Sequence, residues 1–101
     1  MKKGKQIYGK VEGISDIRKI NEKIRGNVRS AKSRPRLTEL HKRSSYLCTL
    51  THSPAWKKSF IGKISKVRQV AKTEYTKTAK AINAKAKRLG LKANYDTKWG
   101  K

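Results

Sequence analysis

The stretch GKISKVRQVAKTEYTKTAKAINAKAKRLG, Gly62 to Gly90, reads as a single long amphipathic helix. Ile64, Val67, Ala71, Tyr75, Thr78, Ala79, Ile82, Ala86 and Leu89 recur in steps of three and four, which gathers them on one face. Ile64, Tyr75 and Ala86 stand eleven apart, close to the pitch of a straight helix, so the stripe drifts little around the axis. Lys63, Lys66, Lys77, Lys80, Lys87 and Arg88 fall on the opposite side, and Arg68, Lys72 and Lys85 flank the stripe. At roughly 1.5 Å per residue the helix runs about 40 Å. One side is core material and the other is a row of cations. Gly90 suits the left-handed position that closes a helix, Leu91 can pack back on the last turn, and Lys85, Lys87 and Arg88 suit the negative end of the dipole.

Upstream, Ser53-Pro54 is a capping hydroxyl followed by proline at the first helical position. Trp56 and Phe60 continue the apolar stripe across Gly62, so either one helix runs from Pro54 or a short helix precedes a bend. The bend is favoured, because Ile61-Gly62 breaks the pattern and glycine costs about 1 kcal/mol inside a helix. A first helix is expected from Ser15 as cap, with Asp16 in its first turn and Ile17, Ile20, Ile24, Val28 and Ala31 buried. It should end near Lys32, since Arg34 precedes Pro35 and is pushed from the α region. A second helix follows from about Arg36, with Leu37, Leu40, Ser44 and Leu47 on one side. Its end, YLCTLT at residues 46–51, is rich in strand formers but has no evident partner strand, so it is read as helical.

These elements define an all-α bundle over residues 14–90, between a flexible basic tail at 1–13 and a flexible aromatic tail at 91–101. In the first tail, residues 6–11 could instead form a short edge strand, although Gly4 and Gly9 favour the tail. In the second, Tyr95 and Trp99 either fold back over the helices or stack on a partner. The core is expected from Ile17, Ile20, Ile24, Leu37, Leu40, Leu47, Trp56, Phe60, Ile64, Val67, Tyr75 and Ile82.

The charge balance bears on partners. The chain has 101 residues, 35% of them apolar, and a formal net charge of +22. Self-repulsion of that size opposes a compact fold unless something anionic neutralises it. Nucleic acid comes ahead of membrane, because a surface-lying helix would carry Trp, Phe and Leu where this one offers Ala, Val, Ile and one Tyr. No apolar run is long enough to span a bilayer and no leader-like segment follows Met1, so an intracellular, cytoplasmic protein is expected. The lone Cys48 excludes an internal disulfide and reads as a buried inert thiol.

Two basic clusters are candidate phosphate contacts. The segment RGNVRSAKSRPR places Arg25, Arg29, Lys32, Arg34 and Arg36 at a helix–loop junction with no acid among them. Lys63, Lys66, Lys77, Lys80 and Lys87 on the long helix form the other. Catalytic chemistry is poorly provided for. The six acids, Glu12, Asp16, Glu22, Glu39, Glu74 and Asp96, are scattered without an evident acid–base pair. His41, Cys48 and His52 match no zinc spacing, and no glycine-rich phosphate loop occurs. No enzymatic activity, cofactor or metal is expected, and the histidines read as capping, local hydrogen-bonding or phosphate-touching groups. Lysine dominates the long helix, with Gln69 and Asn83 its only amides, so backbone binding fits better than base readout.

In helix pattern and charge, Ser15 to Gly90 resembles the small helical subunits of CRISPR effector complexes. The resemblance implies a non-catalytic subunit that holds guide–target duplex or displaced strand by its backbone, among protein partners that could include further copies of itself. Two other classes compete. One is a sequence-specific phage or plasmid DNA-binding accessory factor or regulator of helix-turn-helix type, which would discriminate sites by about 10³ or more. The other is a ribosomal-type structural protein that embeds basic tails in folded RNA.

Overall fold

Gly62 and Gly90 bracket the longest element, and both take positive φ, +80° and +74°. L-residues avoid that region, so the chain turns where a side chain would be strained. In the computed structural model, which describes residues 13–99, four helices follow one another: α1 (Ile14–Ser30), α2 (Arg34–Leu50), α3 (Pro54–Ser59) and α4 (Ile64–Arg88). The described residues contain no strand. The expected basic tail, with its possible edge strand, lies outside the described residues except for Gly13.

The helix ends follow from local chemistry. At the end of α4 the Leu91 N–H donates to the Ala86 carbonyl at 2.9 Å and the Gly90 N–H to Lys87 at 3.1 Å, a Schellman closure. Ser53 Oγ accepts from the Trp56 N–H at 3.2 Å and Pro54 occupies the first position of α3, as read from the sequence. α3 is six residues long and the bend at Gly62 separates it from α4. Residues 46–50 continue α2, so the strand alternative is not taken.

Two boundaries differ from expectation. α1 starts at Ile14 with Gly13 as its N-cap, and Ser15 lies within the helix. Ile14 packs against the core around Ile17, which draws the helix start upstream of the serine. α2 starts at Arg34 rather than Arg36, because Ser33 Oγ caps the Arg36 N–H at 3.4 Å. Pro35 then sits in the first turn, where no backbone donor is needed.

α1 and α4 run parallel, with α2 antiparallel in the angle between them; Asn21 and Arg29 of α1 meet Thr78 and Lys85 of α4, while Thr38 of α2 meets Tyr95, itself held by Asn83 toward the end of α4, and Thr51, just past α2, meets Arg68 near the start of α4. The shortest dimension of the molecule is 19 Å, about two helix diameters, so each helix keeps a side toward solvent. The apolar interior is divided. One cluster joins Ile17, Cys48, Phe60, Val67, Ala71 and Tyr75, and the other joins Ile24, Val28, Leu37, Leu40, Ile82 and Ala86. Nine of the twelve expected core residues are buried; Ile20, Trp56 and Ile64 are half-buried at the edges.

Between the two clusters lies a polar layer. Asn21, Ser44 and Thr78 are each no more than 1% exposed. Ser44 Oγ and Thr78 Oγ1 both donate to Asn21 Oδ1, at 2.8 and 3.0 Å, and Asn21 Nδ2 donates to the Ile17 carbonyl at 3.1 Å. Arg25 Nη1 extends the layer by donating to Thr78 Oγ1 at 3.2 Å and to Glu74 Oε1 at 3.0 Å. Three helices are joined by one amide. No buried side-chain donor or acceptor among the described residues lacks a partner.

The C-terminal segment corrects the expectation of a flexible aromatic tail over the described residues 91–99. It runs back along α4 and α2. Asn83 binds the Tyr95 backbone twice, Nδ2 to the carbonyl at 2.9 Å and Oδ1 from the N–H at 2.7 Å. Thr76 Oγ1 donates to the Thr97 carbonyl at 2.6 Å, and Trp99 stacks on His52 with centroids 5.1 Å apart. Folding back is therefore the arrangement adopted by Tyr95 and Trp99.

The polar layer makes a stability prediction. Asn21→Ala strands two buried hydroxyls and opens a void, and should cost about 2–4 kcal/mol in urea denaturation. Combining Asn21→Leu, Ser44→Ala and Thr78→Val removes the stranded groups together and should recover much of that loss. If Asn21→Ala unfolds at the wild-type midpoint, the layer contributes nothing to stability.

Candidate nucleic-acid interface

The solvent side of the α1–α4 pair is built by helical spacing. Arg18, Arg25 and Arg29 stand seven and four apart on α1, which puts them on one flank. α4 meets that flank with Lys66, Lys77, Lys85 and Arg88. One groove is lined by Arg18, Lys66, Gln69, Thr73, Glu74 and Lys77. Farther along the same pair, a groove of about 510 Å³ is lined by Arg25, Val28, Arg29, Ala81, Ala84, Lys85 and Arg88.

The acids near these grooves are accounted for. Glu74 is buried, 3.0 Å from Arg25 and 3.6 Å from Lys77. Glu22 is exposed and falls between Arg18 and Arg25 by helical spacing. Toward the C-terminal end the lining carries no acid. Lys85 Nζ donates to the Arg29 carbonyl at 2.7 Å, which fastens the end of α1 to α4. Arg29 and Arg88 are exposed and form no ion pair with any described residue.

The two clusters read from the sequence are regrouped. Arg25 and Arg29 join Lys66 and Lys77 on the α1–α4 side. Arg25 is spent largely inside the fold, on Glu74 and Thr78. Lys32 is exposed between α1 and α2; Arg34 borders a separate depression with Pro35, Thr38, Glu39 and Lys42. Arg36 is held by Glu39 at 2.7 Å, and Arg43 takes the other oxygen at 3.2 Å. The hydrogen bond from Arg36 and the charge of Arg43 pull the exposed Glu39 carboxyl below its usual pKa. Lys63 lies near Ile14 and Phe60 at the start of α4, and Lys80 and Lys87 are exposed along α4. Sequence reasoning left Arg18, Lys85 and Arg88 out of both clusters. The seven-and-four spacing from Arg18 to Arg29 was a usable signal.

The α2 side has a different chemistry. His41 Nε2 lies 3.0 Å from Tyr75 Oη and 3.1 Å from the Asp96 carbonyl, and its ring packs on Tyr75 and Tyr95. Tyr95 Oη is 2.8 Å from Thr38 Oγ1. Burial raises the Tyr75 pKa, with Asp96 and Cys48 adding to it. Burial and then the charges of Arg68, Lys72 and Lys57 lower that of His52, whose ring stacks on Trp99. Cys48 is buried and its thiol is pushed up to about 12 by desolvation, in keeping with an inert role. Arg68 Nε donates to the Thr51 carbonyl at 3.1 Å, tying α4 to the α2–α3 turn. No group of three or more His, Cys, Asp or Glu among the described residues could hold a metal ion. No described helix is long and apolar enough to cross a membrane.

No protein-family model, curated protein or solved structure matches the chain.

The division of labour between neighbouring arginines is measurable. Arg25→Gln leaves the buried Glu74 carboxylate with Lys77 alone, an exposed lysine at 3.6 Å, and should cost about 2–3 kcal/mol, discounted because the guanidinium is partly exposed. Arg29→Gln should stay within about 0.5 kcal/mol of wild type. Equal losses in chemical denaturation would contradict the assignment of Arg25 to the fold and Arg29 to the surface.

Proposed function

We propose that the protein binds nucleic acid through its phosphate backbone, along the α1–α4 side, as a non-catalytic subunit of a larger nucleoprotein complex. The observation that carries this reading is the gathering of Arg18, Arg29, Lys66, Lys77, Lys85 and Arg88 along one helix pair. α4, with 25 residues, is about 37 Å long, close to one turn of duplex at about 34–36 Å. The surface and the ligand therefore match in charge and in length.

Lysine and arginine toward phosphate carry affinity without sequence information. Among the residues that line the grooves, Gln69 is the one amide able to read a base edge. The helix-turn-helix alternative is weakened by two features: α3 is only six residues long, and Arg68 near the start of α4 is engaged by a backbone carbonyl. The resemblance to CRISPR small subunits agrees with the proposed role and rests on helix pattern and charge. The excess of charge, +22, favours a polyanionic partner, whose counter-charge relieves the self-repulsion of the fold.

Binding of unrelated duplexes between 50 and 200 mM salt tests the reading. Affinity should fall with a log–log slope of about −0.9 per phosphate neutralised, alike for all sequences. Changing Arg29, Lys66 and Arg88 together to Gln should flatten the slope by about two to three units. The same change at Lys42, Lys57 and Lys58 should flatten it by less than about one. Equal effects from the two triples would mean that net charge, and not this side of the molecule, governs binding.

A further inference from the structure

Resting on that reading, we infer that the groove near the C-terminal ends of α1 and α4 is a shaped seat for a backbone phosphodiester, floored by Val28, Ala81 and Ala84 and gripped by Arg29 and Arg88. Four features of the groove support this.

The first is the floor. Val28 is buried, Ala81 is half-buried and Ala84 is exposed at the groove's surface. Alanines there leave room for a phosphate to approach the helices closely. The second is the grip. Arg29 and Arg88 come from different helices, neither is paired with an acid among the described residues, and both guanidiniums can fork onto phosphate oxygens. The third is rigidity. Lys85 ties the α1 terminus to α4, and Arg25 at the groove's inner edge is fixed by Glu74 and Thr78. The two arginine-bearing backbones are thus held at a set separation before any ligand arrives.

The fourth is the field. α1 and α4 are parallel, so both place the negative end of the helix dipole here, about half a charge each. Arg29, Lys85 and Arg88 outweigh that, and the site remains cationic. A second groove, lined by Arg18, Lys66 and Lys77, lies earlier along the same helix pair. Two cationic grooves in succession suit a phosphodiester, whose neighbouring phosphates can use the second, better than a free phosphate.

The test is a charge-neutral blockade. Ala84→Leu fills the floor with a good helix former at an exposed position, so the fold should be kept, which circular dichroism and thermal melting check. Thr49→Leu on α2 controls for added apolar surface. With a mixed-sequence 20-base-pair duplex at fixed salt, Ala84→Leu should weaken binding about tenfold and flatten the salt slope by about one, as the seated phosphate is lost. Thr49→Leu should match wild type. Unchanged affinity and slope in Ala84→Leu would show a diffuse cationic track with no seat, while the proposed function stands. No duplex binding by wild type would remove the proposed function itself and the seat with it. Titration with inorganic phosphate separates the sources: submillimolar, saturable binding abolished by Ala84→Leu would make a free anion the occupant and overturn the phosphodiester assignment.

Discussion

Asn21 holds three helices at once. Its carbonyl oxygen accepts hydroxyl protons from Ser44 on α2 and Thr78 on α4, and its amide binds the backbone of its own helix. An apolar three-helix interior tolerates sliding, since one leucine packs much like another. A buried amide with two specified partners does not, because any shift leaves buried polar groups without partners. The layer thus fixes the relative height of the helices. That height in turn sets which cations face each other across α1 and α4. Arg25 extends the same network to Glu74 on the solvent side, so the register of the core and that of the groove are set by connected hydrogen bonds.

The rest of the chain divides around this pair. The α2 side is closed by the returning C-terminal segment, whose Tyr95 backbone is held by Asn83 as a neighbouring strand would hold it. Aromatic rings are used there for packing: Tyr75 and Tyr95 against His41, Trp99 against His52. The side left open has no aromatic residue in the lining of its grooves. Stacking on bases is therefore not provided for along α1–α4, and charge directed at phosphate is. The proposed binding mode follows from what each side was given to bury.

Much of the fold was legible because it depends on local rules. Gly62 and Gly90 mark the bend and the stop by their tolerance of positive φ, and Ser53-Pro54 starts a helix by capping. The long-range features were not legible. Asn21 sits in the middle of the α1 stripe, between Ile17 and Ile24, but its pairing with Ser44 and Thr78 depends on helix register that no periodicity reveals. Glu74 looked like a scattered acid and is a buried partner of Arg25. The Arg25–Arg36 run looked like one cluster, yet the helix end at Ser30 sends Arg29 to α4 and Arg34 to α2. Proximity in sequence was a poor guide across that boundary. Arg88 belongs to the groove because α1 and α4 are parallel, which only their packing discloses.

The central claim is that one side of this cationic molecule, and not its surface at large, meets the polyanion. Limited lysine acetylation read by mass spectrometry, with and without saturating duplex, tests it site by site. Lys66 and Lys77 should lose reactivity severalfold on binding, while Lys42, Lys57 and Lys58 should keep theirs. Uniform protection of all five, or protection confined to the last three, would contradict the account.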